Sequence, residues 1–336
     1  MIRLATIGTG WIVEDFLKAA QLAGGYQWTG CYSRNAAHGE AFSRRCAWEN
    51  PPRVFCSLEQ LAADPDIDAV YIASPNLFHA PQSRLMLSHQ KHVLCEKPLA
   101  VTPEQIAELQ ALARERGLIY LEAVPGLFSP RLRLLEQAAA QIGPLRLLRV
   151  DNSQYSSKYA AYLAGQTPNI FNPEMAAGCL MDIGIYCVYP VVKLLGMPRQ
   201  VQASAQFLRT GADGSGAALL RYPGATAVLT YSKTAQAACG SELQGERGVL
   251  SFRQPSQIAF LERRFLDGQE PPLPLAGQAE PKAEQMSWEA RAFRDLILGQ
   301  PQGWEPLERY QELSMQVCQV LSQIRLSAGI HLRYEP

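Results

Sequence analysis

Apolar positions along the first 123 residues fall into short runs of two alternating kinds. IRLATIG (2–8), YQWTGCYS (26–33), RVF (53–55), DAVYIAS (68–74), HVLCE (92–96) and IYLEAV (119–124) read as strands. Between them, WIVEDFLKAAQLAG (11–24), NAAHGEAFSRRC (35–46), SLEQLAAD (57–64), HAPQSRLMLSHQ (79–90) and TPEQIAELQALARERG (102–117) read as helices. Such alternation predicts an α/β fold, a doubly wound parallel sheet covered by helices on both faces.

The pattern changes after residue 123. A helix over 130–143 leads to a strand-like run over 145–156, an irregular stretch to 175, and a helix in MDIGIYCVYPVVKLLG (181–196). Strand-like segments then follow one another at 199–209, 216–223, 225–235, 241–246, 248–254 and 257–264, with turn chemistry in YPGA and GERG. This predicts an antiparallel region. GQEPPLPLAGQAEPK (268–282) reads as a loop, and helices at 287–299 and 306–329 close the chain. Two domains are expected, an α/β one over 1–122 and an α+β one over 123–336, with the C-terminal helix able to pack back on the first.

Composition narrows the function classes. Of 336 residues, 47% are apolar and 18% charged, and Lys+Arg and Asp+Glu each number 31. That balance supplies no field for nucleic acid or an anionic membrane, so neither is an expected partner. No apolar run approaches the roughly 18 residues of a membrane span. The first residues run straight into a strand, and the expected location is the cytoplasm. Eight cysteines are scattered without a C-x-x-C pair or clustered histidines, so neither a disulfide framework nor a metal site is expected.

Candidate chemistry begins at TIGTGWI. Gly8 and Gly10 stand between the first strand and the first helix, where a dinucleotide fold needs a tight turn and close approach to a pyrophosphate. Thr9, Trp11 and Ile12 complete the turn, and the helix N-terminus offers N–H groups and a positive dipole end. Val13 replaces the third glycine of G-x-G-x-x-G. The second strand ends in Ser33 and Arg34 where an acid would hold a ribose 2′-hydroxyl. A guanidinium there suits a 2′-phosphate, so NADP is the expected cofactor, with NAD as the alternative. Ser74, Pro75, Asn76 and His79 follow the fourth strand and should border the same crevice, and Glu96 and Lys97 end the fifth.

Together GTGWI, SPNLFH, CEKPL and AGCLMDIGIY resemble the glucose–fructose oxidoreductase / inositol dehydrogenase (Gfo/Idh/MocA) family, in the right order over residues 2–200. The resemblance implies an N-terminal Rossmann domain and a C-terminal substrate-binding and oligomerisation domain with a large open, mainly antiparallel sheet. It implies a homodimer or homotetramer through that sheet, and a catalytic lysine at the position of Lys97. MDIGIY keeps Asp182 and Gly184 but has Tyr186 where many members carry His. Tyrosine there is similar to the glucose–fructose oxidoreductase and dimeric dihydrodiol dehydrogenase branch. The family's glycine-rich run is thinned to Ala177-Gly178-Cys179.

The residues suit that chemistry. Asp182 and Tyr186 are four apart and share one helical face. A tyrosine can donate the proton that an alkoxide needs after hydride transfer, and an ammonium such as Lys97 can hold the oxygen. Asp182 can orient substrate hydroxyls or Lys97. The Tyr-, Ser- and Asn-rich stretch 152–175 offers Tyr155, Tyr159 and Asn169 for a small polar substrate, or else crosses the surface as a loop. The expected activity is an NAD(P)-dependent dehydrogenase of a sugar, polyol or cyclic diol. A non-catalytic NADP sensor and a reductase of a bulky non-sugar acceptor, as in the biliverdin reductases, are the rival readings.

Overall fold

A computed structural model describes residues 1–332. The last four residues of the expected second domain, 333–336, lie outside the described residues. The described residues form two compact units, 1–128 with 281–315 and 129–280 with the described residues from 316 on.

The first unit is built on six parallel strands: β1 (Ile2–Ile7), β2 (Tyr26–Tyr32), β3 (Arg53–Phe55), β4 (Ala69–Ile72), β5 (His92–Glu96) and β6 (Tyr120–Ala123). Their order is β3-β2-β1-β4-β5-β6. The order reverses beside β1, which makes the crevice beyond the carboxyl ends of β1 and β4 the switch point where such sheets take ligands. β4 and β6 are buried along their whole length, as a sheet covered on both faces requires. Helix starts obey local chemistry. Asn35, Ser57 and Thr102 cap the helices that follow them, Thr102 in a reciprocal box with Gln105.

A late segment completes this unit. Helix Lys282–Ile297 packs against the first helix, Trp11–Ala23, and Tyr26 donates from its hydroxyl to the Ala290 carbonyl at 2.6 Å. The periodicity predicted its start at Ser287, five residues late, because the first turn carries the polar Lys282, Glu284 and Gln285.

Among its described residues the second unit holds eight strands: β7 (Leu145–Ser153), β8 (Gln200–Phe207), β9 (Asp213–Tyr222), β10 (Ala225–Ser232), β11 (Ser241–Gly245), β12 (Gly248–Arg253), β13 (Ala259–Phe265) and a two-residue β14 (Leu273–Pro274) inside the expected loop. The sheet runs β14-β13-β12-β11-β7-β10-β9-β8. Every pairing is antiparallel except β7 with β10. Leu148, Val150, Ala227, Leu229 and Leu243 are buried on one face. Their alternates, Leu147, Arg149, Thr226, Val228 and Glu242, are half-buried or exposed. One face of the sheet is therefore a core and the other is open.

The helix expected over 181–196 is split. Leu180–Gly184 winds as a π-turn, and Ile185–Leu195 continues as α-helix. The stretch 152–175 is ordered by short helices at Tyr159–Leu163, Asn169–Phe171 and Pro173–Met175.

Candidate active site

The turn after β1 is shaped by two glycines for different reasons. Gly8 has φ 119°, and a β-carbon there would lie 2.8 Å from the Ala73 carbonyl oxygen. Both facts demand glycine. Gly10 is the N-cap of the first helix, no side chain caps that helix, and a β-carbon at Gly10 would meet nothing within 4 Å. The first N–H groups of the helix, at Trp11 and Ile12, thus stand at an open, positive dipole end. Val13 is buried and fills the gap a third glycine would leave, its Cγ2 lying 3.3 Å from the β-carbon position at Gly8.

At the end of β2 the two candidates for a ribose phosphate differ. Ser33 is buried, and its hydroxyl donates to the Asn35 carbonyl at 2.8 Å while accepting the Asn35 N–H at 3.3 Å. It closes the turn into the next helix. Arg34 is exposed and engages no other described residue.

The turns after β4 and β5 are tied together from below. The Ser74 hydroxyl donates to Gln82 Oε1 at 2.7 Å, and Pro75 and Asn76 enter a short 3₁₀ turn. His79 is 1% exposed, with Nδ1 2.8 Å from the Pro98 carbonyl and Nε2 2.8 Å from the Ser74 carbonyl. A neutral ring donates to only one of two acceptors. Burial lowers its pKa, while the two carbonyls pull the other way. Both nitrogens face protein, so His79 braces the two turns and offers neither nitrogen to a ligand.

Glu96 accepts from the Tyr71 hydroxyl at 2.6 Å, and Glu122 Oε1 accepts the Leu99 N–H at 2.9 Å. The Lys97–Pro98 peptide is cis, and Lys97 is half-buried. Acidic and aromatic groups beneath the turn thus fix Lys97 at the carboxyl edge of the sheet. Behind them Glu289, on helix Lys282–Ile297, is fully buried, with neither carboxylate oxygen hydrogen-bonded. Burial first, and the charge of Glu96 second, push its pKa well above the usual carboxylate range.

In the second unit the π-turn carries Asp182, and Tyr186 follows it in the first turn of helix Ile185–Leu195. Both are half-buried, while Met181, Gly184, Ile185 and Cys187 around them are buried. Three side chains distant in sequence clamp the turn. Asp213 Oδ2 accepts the Leu180 N–H at 2.7 Å, Asn152 Nδ2 donates to the Ile183 carbonyl at 2.8 Å, and the Lys233 ammonium pairs with Asp182. Asp213 is fully buried, and its desolvation pushes its pKa up to about 6 against the hydrogen bonds that lower it. Tyr231 packs against Gly184 and Gly216, where added β-carbons would come within 3.1 Å and 2.6 Å of it. A π-turn is a rare winding that recurs at functional sites.

Two stretches of the chain match the two domains of one family. The oxidoreductase family with an NAD-binding Rossmann fold, Gfo/Idh/MocA, matches residues 2–123, and that family's C-terminal domain matches residues 137–251. The chain belongs to the Gfo/Idh/MocA oxidoreductase family. It is 37% identical to a scyllo-inositol 2-dehydrogenase (NADP(+)) of Bacillus subtilis, over 98% of each chain. It is 29% identical to a trans-1,2-dihydrobenzene-1,2-diol dehydrogenase of Danio rerio, over 88% of each. A 3-ketoreductase from Actinomadura kijaniata, crystallised with NADP and TDP-benzene, has a similar fold, with TM-score 0.82 and 24% identity over 97% of this chain and 98% of that one. This Gfo/Idh/MocA member is an NAD(P)-dependent oxidoreductase.

The Tyr-rich stretch forms an aromatic cluster in the second unit. Tyr159 stacks on Tyr162 with centroids 5.5 Å apart and meets Tyr155 edge-on at 5.5 Å. Tyr155 is 49% exposed, and Tyr162 is buried under the Arg209 guanidinium. Backbone bonds carry this segment alongside Lys233: Gln154 N–H donates to the Ser232 carbonyl at 2.8 Å and Ser156 N–H to the Lys233 carbonyl at 2.9 Å. Asn169 is exposed at the start of its 3₁₀ turn, ten residues past Tyr159. Asn152, Asp213 and Lys233 escaped the sequence reading. Their only local signal is a polar residue at or next to a strand end, which normally reads as solvated.

Proposed function

We propose that this oxidoreductase transfers hydride between NADP and a carbonyl or hydroxyl of a sugar, polyol or cyclic diol. The observation that carries the reading is the half-buried Asp182 on its clamped π-turn with the half-buried Tyr186 in the helical turn that follows, in a chain with a dinucleotide-type first unit.

The residues at the first unit's crevice suit the cofactor. An uncapped helix N-terminus with open space at Gly10 suits a pyrophosphate, which Gly8, Thr9, Gly10, Trp11 and Ile12 would hold. The exposed Arg34, with no acid beside it, would pair a 2′-phosphate and disfavours NAD by leaving the 2′-hydroxyl without its usual acceptor. Ser74, Pro75, Asn76 and Glu96 would border the nicotinamide half. The bound nicotinamide supplies or accepts the hydride.

The protein moves the proton. Tyr186 donates it to the oxygen in reduction and withdraws it in oxidation. Lys97 holds that oxygen and stabilises its developing negative charge. Asp182 accepts from a neighbouring substrate hydroxyl. Tyr155 and Tyr159 offer flat faces for a ring, and Asn169 a polar contact. The relatives named above are called dehydrogenases of scyllo-inositol and of a dihydrobenzenediol, each a ring with adjacent hydroxyls. A vicinal ring diol, or its hydroxyketone, is therefore the favoured substrate. Self-association through the open sheet face, as a homodimer or homotetramer, belongs to the same reading.

The test is spectrophotometric. NADP reduction is followed with scyllo-inositol and trans-dihydrobenzenediol, and NADPH oxidation with ketoses and diketones. Turnover on a ring diol or ketone supports the reading, and none on any of them overturns it.

A further inference from the structure

Lys233 follows β10, far in sequence from the turn that carries Asp182. Its side chain is 8% exposed, and its ammonium pairs with Asp182 Oδ2, on a carboxylate 27% exposed. The backbone on both sides is fixed. Lys233 N–H donates to the Gly214 carbonyl, and its own carbonyl accepts the Ser156 N–H, each at 2.9 Å. The stem therefore leaves a strand end fixed on both sides.

Other titratable groups pack around the pair. Asp213 is fully buried behind it, with Oδ2 on the Leu180 N–H and no hydrogen bond at Oδ1. The Cys179 thiol lies within the field of Asp213, Lys233 and Asp182, and the Tyr231 phenol within that of Asp213 and Cys179. Thiol and phenol are both pushed up by burial and are neutral at working pH. Lys233 is thus a cation facing two carboxylates, the fully buried Asp213 and the partly accessible Asp182.

A buried ion pair stabilises a fold little more than apolar residues of the same volume would. Stability alone is a poor reason for a lysine here. Its effect on Asp182 is specific: an adjacent ammonium keeps a carboxylate charged and fixes its direction.

We propose that Lys233 is a positioning residue for the reaction, holding Asp182 ionised and aimed as the acceptor for a substrate hydroxyl. The inference rests on the role given to Asp182 above. Lys233 acts through Asp182 and needs no contact with substrate.

The experiment combines a titration that needs no substrate with kinetics on scyllo-inositol and NADP. Carboxyl-¹³C aspartate NMR of the full chain, assigned by the signal lost in D182N, follows the Asp182 carboxylate against pH. In Lys233→Met its midpoint rises by about one pH unit or more. The acid limb of kcat/KM moves up with it, so activity falls at least tenfold at low pH and recovers at high pH. Lys233→Arg restores both. An unchanged midpoint, or a uniform loss at every pH, overturns the proposal. If Lys233→Met does not fold, the neutral pair D182N/K233M is compared with D182N. Equal kcat/KM supports action through Asp182, and a further loss overturns it. Failure of the functional reading looks different, because the wild-type enzyme is then inactive on the probe while the NMR titration still decides on Lys233.

Discussion

A β-carbon at Gly178 would lie 2.0 Å from Asp213 Oδ1. Gly178 also has φ 145°, a conformation that residues with side chains rarely adopt. The glycine retained in Ala177-Gly178-Cys179 lets a buried carboxylate reach the Leu180 N–H and start the turn that carries Asp182. Gly178→Ala should therefore cost about 2–4 kcal/mol in urea unfolding. Turnover should fall while NADPH affinity, measured by calorimetry, holds. A stability loss below about 1 kcal/mol would mean that the turn does not depend on this approach.

Tyr186→Phe removes one hydroxyl and keeps the ring. Turnover should fall by roughly 10²–10⁴-fold, the usual worth of a positioned acid or base. Lys97→Met should lose a comparable amount while NADPH affinity stays within about tenfold. The double variant should lose far less than the product of the two, because groups acting as a unit are not additive. Multiplicative losses in steady-state kinetics would separate the two roles.

Arg34 is the cation at the tip of β2. Arg34→Ala should weaken NADPH by about 10–100-fold, the worth of charge-assisted hydrogen bonds, and leave NADH unchanged. Binding titrations with both dinucleotides check this. Equal weakening of the two, or a parent enzyme that prefers NADH, contradicts the 2′-phosphate assignment.

Glu289 carries a pH signature. Its usual pKa is 4.5 and the fold raises it well above that. The native state therefore keeps a proton that the unfolded chain releases above pH 4.5. Its contribution is fully present below that value and is lost as pH rises towards the folded pKa, with a slope of up to about 1.4 kcal/mol per pH unit. Glu289→Gln removes this titration. Its stability relative to wild type should improve from pH 5 to pH 8, measured by denaturant unfolding at both. A pH-independent difference would show that the acid is charged in the fold.

The open sheet face carries a row set by register, Gln202–Leu219–Val228–Arg149–Glu242. Its middle is apolar and half-buried, and Arg149 and Glu242 form an ion pair at 3.4 Å. If this face joins copies of the chain, Val228→Glu should shift the sedimentation mass towards the monomer. A wild-type monomer at every concentration removes the expectation.

What the sequence determined by itself is local. The alternation of strand and helix periods over 2–123, the glycines after β1, the arginine after β2 and the CEKPL strand end all lie within contiguous stretches, where backbone preference and periodicity act directly. Those stretches were sufficient for the doubly wound sheet and for the resemblance to the family. His79 was expected to border the crevice, and its burial between two carbonyls was not legible. That position depends on where Pro98, nineteen residues on, returns. The tertiary structure alone decided the supports of the site. Asp213 reaches Leu180 across 33 residues, Asn152 reaches Ile183 across 31, and Lys233 meets Asp182 where the π-turn packs on β10. Glu289 reads as a solvated helix charge until that helix is packed on the first. In each case strand register or helix docking fixes the partner, and neither leaves a periodic trace in the residues themselves.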